Sequence, residues 1–89
     1  MTAPHGVMSA EEAAALNAAL LEAHACHDLA ALVDLYARAA DSQEGAGDID
    51  AACFFLTQAF VFGLEAGDAR AAELNRRLVA YGRAWPLDL

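Results

Sequence analysis

The chain has no lysine, two prolines and only five β-branched aliphatic residues: Val7, Val33, Ile49, Val61 and Val79. So few β-branched residues argue against a sheet. Pro4 and Pro86 stand near the two ends, so no proline interrupts a helix between them. Five arginines face 13 acids, for a net charge of −8. That balance disfavours a nucleic-acid backbone or an anionic membrane as partner. Two cysteines, Cys26 and Cys53, are too few for a disulfide framework and are expected to be free in a reducing cytosol. The opening MTAPHGVMSAEE has neither a basic region nor an apolar run, so no secretory signal is expected, and the reading is a cytoplasmic soluble protein. No Ser/His/Asp arrangement, glycine-rich phosphate loop or paired-carboxylate pocket is present, which leaves no catalytic residue and no cofactor to assign.

What the chain does have is alanine, 24 of 89 residues. Alanine is the best helix former and carries little area to bury. A chain of this length is one small domain, burying roughly 60–65% of its unfolded surface. The expected organisation is a flexible lead-in over 1–8, one all-α domain over 9–85 and a tail over 86–89.

The most apolar stretch is Ile49 to Ala66, IDAACFFLTQAFVFGLEA, which holds all four phenylalanines. Between Asp50 and Glu65 there is no charge. A central helix, a short membrane insert and a partner-binding helix are the three readings. A spanning helix needs about 20 apolar residues and basic flanks. This run is shorter and its flanks are acidic, so the membrane reading is set aside.

Four helices are legible in order. Ser9 and Glu12 form a capping box for a helix from about Ala10 to Ala25, whose inner stripe is Ala13, Leu16, Leu20 and Ala23. Asp28 caps a second helix, about Leu29 to Glu44, with one broad apolar face from Leu29 to Ala40. Gly45-Ala46-Gly47 ends it. Asp48 caps the third helix, with Ile49, Ala52, Leu56, Ala59 and Gly63 on its core side. Phe55 and Phe62 flank that side on one edge, and Cys53, Phe60 and Leu64 on the other. Gly67-Asp68 repeats the stop-and-cap arrangement. The fourth helix is expected from about Ala69 to Arg83, with Ala71, Leu74, Leu78 and Tyr81 inside and Trp85 extending the stripe. Loops this short imply antiparallel neighbours. LEAHACHDLAAL (21–32) and LEAGDARAAEL (64–74) echo each other, which suggests stacked helical hairpins.

Gly47-Asp48 followed by Ala52, Leu56 and Ala59 resembles the turn and the small–large–small second helix of a tetratricopeptide or Sel1-like repeat. Asp68-Ala-Arg-Ala-Ala would open the next repeat. The likeness covers about residues 28–83. It departs from the family pattern at Gln43, where an aromatic is usual, and at Leu64, where proline is usual. It implies stacked antiparallel helix pairs and a protein-binding role without catalytic residues.

Three sets of residues stand out as candidates. His24, Cys26 and His27 have metal-ligand chemistry, and the histidines share a face if the first helix continues through them. A structural zinc site needs four ligands, however, so no metal is assigned. A small metal- or redox-sensing protein using these three is the alternative function. Cys53 is expected to be inert among apolar neighbours. The third set is on the narrow polar strip of the central helix, where Phe54 and Val61 sit with Thr57 and Gln58. Either the chain's own first helix, tail or Trp85 covers them, or they meet a protein partner or a second copy. The acidic first half, −9 over residues 1–67 against +1 over 68–89, offers a further contact. It would suit a basic partner, the arginine-rich end of another copy, or an acidic mimic or inhibitor of a basic protein surface.

Overall fold

The computed structural model describes residues 8–87. Residues 1–7 of the expected lead-in and 88–89 of the tail lie outside the described residues. Four α-helices follow one another: α1 (Ala10–Cys26), α2 (Leu29–Gly45), α3 (Ile49–Ala66) and α4 (Arg70–Ala80). No strand occurs among the described residues.

α1, α2 and α3 each start where a capping side chain accepts one of the first free N–H groups, and before α4 Asp68 accepts from Arg70 N–H. Ser9 accepts from Glu12 N–H at 3.1 Å, and the Glu12 carboxylate returns the bond to Ser9 N–H. That contact lowers the Glu12 pKa. Asp28 accepts from Ala31 N–H at 3.1 Å and Asp48 from Ala51 N–H at 3.0 Å. The three inter-helix junctions share one construction. His27, Gly47 and Gly67 have φ of 54°, 80° and 64°. The Asp that follows donates its N–H to the carbonyl five residues back, Ala23, Gln43 or Gly63, at 2.9 Å each. One left-handed residue thus closes a helix and aims an acidic cap at the next.

Contacts at backbone range join each helix only to its neighbours in sequence. Side chains supply the rest. Phe62 of α3 lies edge-on to His24 of α1, with centroids 5.6 Å apart. Arg77 of α4 reaches Asp41 of α2 at 2.7 Å, and Arg70 donates to the Ala30 carbonyl at 3.2 Å. α1 and α3 therefore lie side by side, as do α2 and α4, in a slab with extents of 44 × 32 × 16 Å.

The core has two connected parts. Val33, Ala40, Cys53, Leu56, Ala59, Leu74 and Leu78 join α2, α3 and α4. Leu16, Ala23, Leu32, Leu35 and Ala39 join α1 to α2. Tyr36, Phe55 and Phe62 pack against both, with Tyr36 stacked on Phe62 at 5.9 Å. Gly63 is buried because α4 approaches there: a Cβ on it would sit 3.3 Å from that of Ala71.

Four expectations are corrected. α4 ends at Ala80, before Arg83, because Gly82 turns the chain at φ 72°. Trp85 therefore does not extend the inner stripe and is 90% exposed. Tyr81 and Ala84 pack against the core at this end, and Asn75 is a buried polar residue of α4. Leu64 is exposed, since no described residue lies on that flank of α3. Met8 belongs to the domain: it packs on the α1–α2 cluster and donates its N–H to Ser42 Oγ at 3.2 Å.

Candidate interaction surface

α3 is the middle of the fold. At about 100° per residue, the side holding Ala52, Leu56 and Ala59 turns to α2 and α4, and all three are fully buried. Phe55 and Phe62 turn to α1. The remaining arc has no helix against it among the described residues. It carries Phe54 at 58% exposure, Val61 at 44% and Leu64 at 52%, with Thr57 exposed between them and Gln58 half-buried at its edge. Phe54 makes an edge contact with Phe55 at 5.4 Å. Thr57 donates its hydroxyl to the Cys53 carbonyl at 2.8 Å, so the one hydroxyl in the strip is engaged by its own helix.

Charge is confined to the ends of this strip. Asp50 meets Arg83 at 2.6 Å near the α3 start. Asp50, Cys53, Phe54, Thr57 and Arg83 line an open depression of about 340 Å³. Glu65 stands exposed at the other end. By length and composition α3 is also a helix able to cross a membrane, with mean hydropathy 1.4. In the fold its Leu56 side is enclosed by α2 and α4.

Neither α1, the described tail nor Trp85 covers Phe54 and Val61. The sequence expectation of large apolar groups on the polar strip therefore describes an open surface. Leu64 and Leu21 (65% exposed, on α1) were not singled out. Helical phase put Leu64 beside buried Cys53 and Phe60, and only the absence of a further helix distinguishes it.

His24, Cys26 and His27 are not brought together. His24 Nε2 pairs with Tyr36 Oη at 2.8 Å, against the aromatic cluster. Cys26 Sγ donates to Glu22 Oε1 at 3.3 Å. That hydrogen bond, followed by the charge of Glu22, pushes the Cys26 thiol up from its ordinary value, which disfavours the thiolate a metal or redox site requires. α1 stops at Cys26, and His27 is the left-handed cap beyond it, so the histidines share no helical face. No group of three metal-ligating side chains converges among the described residues. Cys53 is buried and Cys26 exposed, both free.

The arginine-rich end is not an open basic patch. Arg38 faces Asp34, Arg70 faces Asp68 and Asp34, Arg76 faces Glu73, Arg77 faces Asp41 and Glu44, and Arg83 faces Asp50. Among the described residues every arginine has a carboxylate of its own chain.

Comparison with protein-family models, curated proteins and solved structures finds no match to this chain.

Proposed function

We propose that this chain is a non-catalytic protein-binding module of the stacked-hairpin, tetratricopeptide-like kind, with the open flank of α3 as its contact surface. The observation that carries the reading is the exposure of Phe54, Val61 and Leu64 on the helix that otherwise forms the core. Large apolar side chains held on a rigid, centrally packed helix lose little freedom when a partner covers them. The Thr57 O–H is already donated to its own helix, so a partner need not supply an acceptor for it. The divergence of His24, Cys26 and His27 gives the sensing alternative no comparable support.

A photo-crosslinking amino acid at position 54 or 61, expressed in the protein's own cells, tests this. Both positions should give a discrete protein adduct, and the same probe at Glu73, on α4, should not. Adducts from Glu73 alone, or from no position, would overturn the reading.

A further inference from the structure

The two ends of the helix stack are unequal halves of one arrangement. Among the described residues α1 packs on α2 and α3 with one side and meets nothing with the other. α3 has α1 at one edge and an empty flank at the other. The step that carries α1 to α3 within the chain, taken once more, would place a helix against Phe54, Val61 and Leu64. That helix would run parallel to α3 and start level with it.

α1 itself has the character such a helix needs. Only Leu16 and Ala23 of its 17 residues are buried. A solvent-facing helix is ordinarily polar on its outer side. Here the outer side carries Ala14, Ala18, Leu21 and Ala25 beside the carboxylates of Glu11 and Glu22, all exposed. Aligning the helix starts, Ala10 with Ile49, sets these residues against α3. Ala14 falls level with Cys53, next to Phe54, so a small side chain lies beside the largest exposed one. Ala18 falls level with Thr57, Leu21 with Phe60 and Val61, and Ala25 with Leu64.

Charge agrees with that register. Glu11 would stand level with Asp50 and its partner Arg83. Arg83 uses Nη2 on Asp50 and has its other donors unengaged among the described residues. Glu11 has no cationic partner among them. The described part of the C-terminal tail leaves the seat open. Pro86 and Leu87 line a depression on α4 with Ala72 and Val79, while the α3 flank stays uncovered.

We infer that the occupant of the α3 flank is α1 of a second copy, which makes the contact head-to-tail. This deepens the protein-binding reading and rests on it. The contact joins two different surfaces, so it does not close on itself in a pair and can extend from copy to copy.

Sedimentation of the purified full chain over a concentration series tests it. The weight-average mass of the unaltered chain should rise with concentration. Leu21→Glu removes one surface and Val61→Glu the other, and each variant alone should stay monomeric. Their equimolar mixture should form a heterodimer, since each retains the surface the other has lost. Ala18→Glu and Leu64→Glu provide a second pair, and far-UV circular dichroism confirms folding. If Leu21→Glu associates as the unaltered chain does while Val61→Glu does not, α3 pairs with itself and the inference is wrong. A chain that is monomeric throughout also overturns it. In that case crosslinks from positions 54 and 61 to a different protein would leave the broader reading standing.

Discussion

The side-chain amide of buried Asn75 donates to the Trp85 carbonyl at 3.0 Å, and its oxygen accepts from Leu87 N–H at 3.1 Å. One amide thus holds the tail as a neighbouring strand would, with all its inward bonds satisfied. Trp85, the single tryptophan, stands outward on a backbone fixed by that clamp.

Two outcomes follow for Trp85. Its emission should be that of a water-exposed indole and be readily quenched by acrylamide in the folded protein. Asn75→Ala should lower its steady-state anisotropy by freeing the tail, at a stability cost of about 1 kcal/mol, because the released backbone groups can turn to water. Fluorescence with a thermal melt measures both. Unchanged anisotropy would show that the clamp does not order the tail.

Cys26 should be a slow thiol despite its exposure. Its hydrogen bond to Glu22 raises its pKa, and the Glu22 charge acts in the same direction. Alkylation by iodoacetamide at mildly alkaline pH should be slower than that of free cysteine. Glu22→Gln should speed it by about 2- to 5-fold through a larger thiolate fraction. Buried Cys53 should stay silent until unfolding. An unaltered rate in Glu22→Gln would show that the carboxylate does not control the thiol.

The junction after α3 makes a prediction for acid. Two contacts with Arg70, at 2.8 Å to its guanidinium and 2.9 Å to its backbone N–H, hold the Asp68 carboxyl at about 2, against an ordinary 3.8. A pKa lowered by folding stabilises the fold above the ordinary value and is lost as pH falls toward the lowered one. Asp68→Asn keeps a capping oxygen but removes the charge. Its melting temperature should therefore lie below that of the unaltered chain near neutrality. The difference should shrink as pH drops from about 4 to about 2. A constant difference across that range would assign the effect to something other than the Arg70 contact.

The sequence carried the helices, their caps and the inward face of α3, because these follow from local rules. An acid beside a left-handed residue starts a helix, and the phase of Ala52, Leu56 and Ala59 sets its buried side. What it did not carry depends on elements that are absent or displaced. Leu64 has the phase of a core residue, but no helix comes to cover it. Trp85 keeps that phase only if α4 continues, and Gly82 turns the chain first. Arg77 bridges from α4 to Asp41 of α2, a distance in sequence that no local rule reaches. The strip at Phe54 and Val61 was legible because two large apolar groups on a polar arc conflict with the fold's own needs.

His27 gives a second test of the junctions, in the opposite direction from a metal site. Among the described residues it is the sole non-glycine at positive φ, 54°, where Gly47 and Gly67 occupy the equivalent places. A side chain there crowds the following backbone, at a cost of about 1 kcal/mol that glycine avoids. The His27 ring is exposed. No protein donor or acceptor engages it among the described residues, so little is lost by removing it. His27→Gly should therefore raise stability by about 0.5–1 kcal/mol. For a domain of this size that is an increase of roughly 2–8 °C in melting temperature. Gly47→Ala and Gly67→Ala should lower it by a similar amount, since both sites have open space and the cost is purely conformational. A His27→Gly chain less stable than the original would mean that the ring makes a contact of its own, and would return His27 to the set of functional candidates.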